Sequence, residues 1–139
     1  MVVEEVAYGI IPLRQESSEW QVLLVLHREG NHWAFPKGKG NPGENSLDAA
    51  KRELKEETGL AILELLRTDP FVDRYQFQRA GSPVSKNVHY FPAIVTGTLK
   101  LQVEEIADAK WVSLKEADTV LTFQEAKNIC RSIIELLGG

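Results

Sequence analysis

"GKGNPGENSLDAAKRELKEETGL", Gly38 to Leu60, opens as a glycine-rich loop and closes as a strongly acidic helix, and the reading of the fold turns on where one becomes the other. Asn45 or Ser46 can cap a helix over Ser46–Thr58, since a short polar side chain accepts a free backbone N–H there. Gly59 then stops it, because glycine adopts the left-handed conformation at a helix end without steric cost. The apolar stripe Leu47, Ala50 and Leu54 faces a core. Five charged residues occupy the eight positions of "RELKEETG", Arg52–Gly59. A solvated helix face is the ordinary explanation for such a run, and two features oppose it. Glu53 and Glu57, like Lys51 and Lys55, stand four apart and repel by a few tenths of a kcal/mol. Glu56 and Glu57 also fall in the last turn, where the helix dipole disfavours anions by about 0.3–1 kcal/mol.

At about 100° per residue Glu53, Glu56 and Glu57 share an arc of about 100° beside the apolar stripe, with small Ala49 inside it. Carboxylates converging at a core edge need a counter-charge, and an oxygen-only donor set suits a hard divalent cation, Mg²⁺ or Mn²⁺. Arg52, four residues before Glu56, can hold the cluster in place through its planar fork. Gly38, Gly40 and Gly43, with Glu44, let the backbone come close to a metal or a phosphate. Loop and helix together suggest metal-assisted attack of water on phosphorus.

Outward from this segment, "EEVAYGIIPLR" and "WQVLLVLHR" read as two strands of one sheet, joined by "QESSE". "EGNHWAFPKGKGNPGEN" holds too many glycines and prolines for anything but a structured loop. Ala61–Phe77 and Asn87–Leu99 are extended in pattern, and Pro92 suggests a sheet edge or a bulge. A short strand, "AKWVSL", leads to a last helix that Thr122 and Glu125 open as a capping box. Its packing stripe is Phe123, Ala126, Ile129, Cys130, Ile133 and Ile134. Strands before, between and after helices predict an α/β fold, a mixed sheet covered by helices.

The chain has 139 residues, 43 % of them apolar, which predicts one domain over 1–139 with its own core. Sixteen Lys and Arg against twenty Asp and Glu give a net charge of −4, which excludes a polyanion binder that works by bulk attraction. A phosphorylated substrate must instead meet local positive charge or a bound cation. The single cysteine, Cys130, excludes an intramolecular disulfide and an all-cysteine metal site. No apolar run reaches the roughly 20 residues of a membrane span, so a soluble, cytoplasmic protein is expected, with no membrane partner.

Read as one unit, Gly38–Leu60 resembles the Nudix box, G-x5-E-x7-R-E-U-x-E-E-x-G-U with U a bulky aliphatic. Gly38, Glu44, Arg52, Glu53, Leu54, Glu56, Glu57, Gly59 and Leu60 match its fixed positions. The resemblance implies a Nudix-type α/β/α sandwich that hydrolyses a nucleoside diphosphate linked to another group. It implies Mg²⁺ or Mn²⁺ held by Glu53, Glu56 and Glu57 near the Gly38 backbone, with Arg52 and Glu44 orienting and supporting. It further implies a glutamate six residues before a late-strand tryptophan, here Glu105 before Trp111, as ligand or general base; adjacent Glu104 competes for that role.

"HWAFPKGKGNPGE", "SKNVHYFPAIV" and "LTFQEAKNI" are similar to the asymmetrically cleaving diadenosine tetraphosphate hydrolases. That likeness implies a small-molecule dinucleoside polyphosphate substrate, cut to ATP and AMP by a monomer or weak dimer. His32, Lys37 and Lys86 would neutralise its phosphates, and Tyr90 and Phe123 would stack on a base. The same entry is also similar to RNA 5′-pyrophosphohydrolases, the one reading with a nucleic-acid partner. A nucleoside triphosphate pyrophosphohydrolase is a further alternative, and an intact box disfavours a non-catalytic nucleotide sensor.

Overall fold

The computed structural model describes residues 1–138. Its strands are β1 (Val3–Glu16), β2 (Glu19–His27), β3 (His32–Ala34), β4 (Lys37–Lys39), β5 (Ala61–Leu65), β6 (Phe71–Arg79), β7 (Ser82–Thr96) and β8 (Ile106–Ser113). The helices are α1 (Ser46–Thr58), α2 (Gln124–Leu136) and a 3₁₀ turn over Leu114–Thr119. All strands join one mixed sheet in the order β3-β2-β1-β7-β5. β4 adds to β1, β6 to β7 and β8 to β2, and β1 with β7 is the parallel pair.

Strict alternation along the strands gives the sheet two apolar faces, and each takes a helix. On β1 and β7, Ile11, Leu13 and Val88 face the cluster completed by Ala126, Ile129, Cys130 and Ile133 of α2. Ile10, Phe91, Ala93 and Val95 face Ala50 and Leu54 of α1. This is the α/β/α sandwich that the sequence predicts. Fully burying one such Leu or Ile contributes about 1.5–3 kcal/mol, so both helices are held by packing.

α1 has the predicted bounds. Asn45 caps it by accepting from the Asp48 N–H at 2.9 Å. Gly59 ends it at φ 79°, its own N–H donating to the Lys55 carbonyl.

Four expectations need correction. The loop between β2 and α1 contains two short strands, because Trp33 and Gly38 pair in register with Leu26 and Tyr8. The expected stretch Ala61–Phe77 is two strands, β5 and β6, with a break between Leu65 and Phe71. Pro92 lies at neither an edge nor a bulge: β7 is central, and Pro92 falls where its outer partner changes from β6, which ends at Phe71 opposite Tyr90, to β5, which begins at Leu65 opposite Ala93. A missing N–H costs no ladder bond at such a changeover. Thr122 does not cap α2; Phe123 occupies the cap position without a side-chain bond, and the Thr122 hydroxyl accepts from the Trp33 N–H at 2.9 Å. Phe123 therefore stands before the helix and not on its packing stripe.

Candidate active site

β4 carries Gly38 directly under α1. A Cβ at Gly38 would overlap the Glu53 carboxylate, so only glycine lets helix and strand approach this closely. Glu57, 1 % exposed, accepts the Lys37 backbone N–H at 3.1 Å. Burial, reinforced by the Glu53 charge, pushes the Glu57 carboxyl up to about 8. Burial likewise raises Glu53. Two buried acids that resist ionisation side by side call for positive charge.

Arg52 organises the rim. Its Nε and Nη2 donate to the two Glu44 oxygens at 3.0 and 3.1 Å, and Nη2 also donates to the Lys39 carbonyl at 2.7 Å. Nη1 reaches Glu53 at 2.9 Å and Glu56 at 3.0 Å. The Arg52 hydrogen bond holds the Glu44 carboxyl below its usual range. The acidic trio is therefore divided: Glu53 and Glu57 are buried, while Glu56 is half exposed on the Arg52 fork. Among the described residues no three side chains of ligand type stand together at metal-binding spacing. The donor chemistry nevertheless fits a hard cation, since it is all oxygen, buried and of one sign, and the glycine at Gly38 leaves the strand backbone open beside it. Glu104 and Glu105 enter the same cleft from the loop before β8, and the Glu105 charge is felt by both Glu53 and Glu57.

The opposite wall of this cleft, of about 550 Å³, is basic and aromatic. Lys37 and Lys86 are 7 % and 8 % exposed, and burial together with the Lys86 charge lowers Lys37 to about 8. His32 stacks on His27, ring centroids 5.1 Å apart, and lies 5.2 Å from Phe123. Burial and the two lysines press His32 down to about 4. His32 thus lines the cleft beside these lysines with an uncharged ring at neutral pH.

The expectation that Tyr90 stacks on a base requires correction. Tyr90 is fully buried, edge-on to Phe35 at 5.0 Å, and presents no face to the cleft. The ring opposite Phe123 belongs to Tyr75, 5.1 Å away and 13° from parallel, with the Lys37 Nζ 5.9 Å from its centroid. Sequence reasoning missed Tyr75, although a signal existed. Ala80 and Gly81, at φ 51° and 80°, form a two-residue hairpin turn, and counting back from it sets Tyr75 opposite Lys86. Arg79 fastens this hairpin's end to Glu5 at 2.6 Å and Glu29 at 3.0 Å.

Buried paired glutamates against a glycine-bearing strand, facing two buried lysines, define a pyrophosphohydrolase site on an α/β/α sandwich. The family model described as NUDIX domain matches residues 3–133, and the chain belongs to that family. Over 121 residues it is 32 % identical to the bis(5′-nucleosyl)-tetraphosphatase [asymmetrical] of Mus musculus, covering 85 % of this chain and 80 % of the relative. The Rattus norvegicus protein of the same name is 33 % identical over 131 residues, 87 % of each chain. Among solved structures, a binary complex of a C. elegans Ap4A hydrolase superposes with a TM-score of 0.75 at 25 % identity, covering 97 % of this chain and 98 % of that one.

Proposed function

We propose that this chain hydrolyses a dinucleoside polyphosphate, diadenosine tetraphosphate, to ATP and AMP. One observation carries the reading: a single cleft sets the buried pair Glu53 and Glu57 against Lys37, Lys86 and the ring pair Tyr75–Phe123. Acidic groups for a cation, buried lysines for phosphates and an aromatic pair for a base are the three things a nucleoside polyphosphate needs. The relatives named for asymmetric tetraphosphate cleavage support the same substrate.

Mg²⁺ or Mn²⁺ held by Glu53, Glu56, Glu57 and Glu105, with the Gly38 backbone beside them, would supply positive charge to the transferring phosphoryl group and acidify a water. The chain's own residues do the rest. Lys37 and Lys86 neutralise and align the phosphates, and Tyr75 and Phe123 grip a base, which is worth about 1–3 kcal/mol. Their rings must part to admit one, since a base between them needs roughly 7 Å, twice the usual stacking distance. Glu105 accepts the proton of the water whose oxygen attacks a phosphorus near one end of the chain. The bridging P–O bond breaks, and ATP or AMP departs on the far side. Arg52 and Glu44 keep the acidic helix aligned.

Chromatography of the products formed by purified protein with Mg²⁺ tests this. ATP and AMP in equal amounts are expected; a faster release of pyrophosphate from triphosphate RNA or from single nucleotides would replace the reading with one of its rivals.

A further inference from the structure

Arg28 is a cationic side chain on the cleft wall to which neither the box nor the base platform gives a role. It is the first residue beyond β2, next to a register shift at Leu26/His27 in the pairing with β8. Such a bulge re-aims the residues that follow it. Arg28 is thereby turned onto the loop that brings Glu104 and Glu105 to the cleft, and it holds that loop twice. Its backbone N–H donates to the Glu105 carbonyl at 2.9 Å, and its Nε donates to the Val103 carbonyl at 2.7 Å.

The far end of the same loop hangs from the end of α1. The Lys100 N–H donates to the Thr58 carbonyl at 2.7 Å and the Gln102 N–H to the Glu57 carbonyl at 3.1 Å. Within the loop, the Glu105 and Ile106 N–H groups both donate to the Gln102 carbonyl. Apolar anchorage is missing at its tip, where Val103 is 62 % exposed. Leu101 and Ile106 anchor the loop in the core on either side, so between them hydrogen bonds set where the tip lies, and the Arg28 Nε bond is the one made by a side chain.

We propose that Arg28 is a positioning residue, which fixes the Glu104–Glu105 loop over the glutamate helix through the Val103 carbonyl. The inference rests on the proposed function, in which Glu105 takes the proton of the attacking water. Lysine cannot replace Arg28 in this role. The bond uses the inner Nε of a planar fork, and an ammonium at the end of a flexible stem has no donor at that point.

The experiment compares Arg28→Ala, Arg28→Lys and Glu105→Gln with the wild type. It measures kcat and KM on diadenosine tetraphosphate with Mg²⁺, and amide hydrogen exchange of the segment 100–106 in the cation-free protein. Positioning predicts that both Arg28 variants lose kcat by about tenfold, the equivalent of one hydrogen bond, with KM within about twofold. Both should also exchange faster in 100–106 and normally in α1 and α2. Retention of wild-type kcat by Arg28→Lys, or a rise confined to KM in Arg28→Ala, would show that Arg28 acts only as charge and would overturn the proposal. So would unchanged exchange in 100–106. Full activity in Glu105→Gln would instead remove Glu105 as base, while the exchange result still decides whether Arg28 holds the loop.

Discussion

The two walls of the cleft are built in opposite ways. Most of the acidic wall comes from one stretch of chain, Gly38–Gly59, in which helix periodicity, a capped start and the five bonds of Arg52 set Glu44, Glu53 and Glu56, while Glu57 accepts from the Lys37 N–H and Glu105 joins from the loop before β8. The basic and aromatic wall is gathered from β3, β4, β6, β7 and the segment before α2, and only sheet register brings its residues together. Their electrostatics mirror each other. Burial raises Glu53 and Glu57 on one side and lowers Lys37 and His32 on the other, so each wall holds its buried groups away from their usual ionisation. A cation relieves the first wall and a polyphosphate the second. The difference teaches that carboxylates carried on one helix can be fixed by local geometry, whereas groups drawn from five elements depend on how the whole sheet is paired.

The acidic wall should break hardest. Glu57→Gln is expected to lower kcat by about 10²–10⁴-fold, the several kcal/mol that a bound cation supplies, while raising thermal stability in cation-free buffer near neutral pH, because it removes a carboxyl whose burial opposes its charge and which must take up a proton to fold. Mg²⁺ should then stabilise the wild type more than the variant. Steady-state kinetics with paired melting curves check both halves, and equal melting shifts would refute the buried-charge account. Gly38→Ala should come next, since its methyl displaces Glu53. A loss of about 10²-fold in kcat is expected, the order that misplacing a catalytic group by about 1 Å costs.

The other wall should yield smaller effects, and in KM. Tyr75→Ala is expected to raise KM by about 5- to 100-fold, corresponding to about 1–3 kcal/mol of lost stacking. Tyr90→Phe should leave KM unchanged, because the Tyr90 hydroxyl is buried without a partner and its ring does not reach the cleft. Equal effects of the two substitutions would contradict the assignment of Tyr75. Thr122→Ala, which removes the bond to the Trp33 N–H, should cost about 1 kcal/mol of stability and raise KM a few-fold by loosening Phe123.

A further effect touches stability alone, through a pH dependence. Asp73 is 2 % exposed with an oxygen that has no partner, and burial raises its carboxyl to about 6. The folded state therefore binds this proton more tightly than the unfolded chain, whose carboxyl titrates near 4. Its contribution to stability is full below about pH 4 and is lost as pH rises through 6. Asp73→Asn should consequently gain on the wild type between pH 4 and 6 and keep a constant advantage above. Denaturation curves at stepped pH would show it.

The contrast between the walls also explains what the sequence disclosed. Asn45, Gly59 and the spacing of Glu53, Glu56 and Glu57 place α1 and its acids, since each depends on neighbours within a few residues. Lys37 and Phe123 were legible through their surroundings. Tyr75 was not, because its position follows from the hairpin register, and Tyr90 was misplaced for the same reason: both are aromatic residues in strands, and only the paired sheet shows which one faces the cleft. Thr122 looks like a cap in one dimension and bonds to a strand 89 residues away in three. The neutrality of His32 arises from burial and from two lysines of other strands, which no local pattern contains.

The changeover at Pro92 gives β7 a division along its length, with β5 on one half and the β6 hairpin on the other. In evolutionary terms the β6 arm of the hairpin carries a parity rule. Because side chains alternate faces with a period of two, inserting an even number of residues into β6 between Tyr75 and the turn at Ala80 and Gly81 would keep Tyr75 over the cleft, and an odd number would turn it away. Changes to the aromatic edge of the cleft are thus open to this scaffold in steps of two, on a hairpin whose pairing ends before β7 reaches β5.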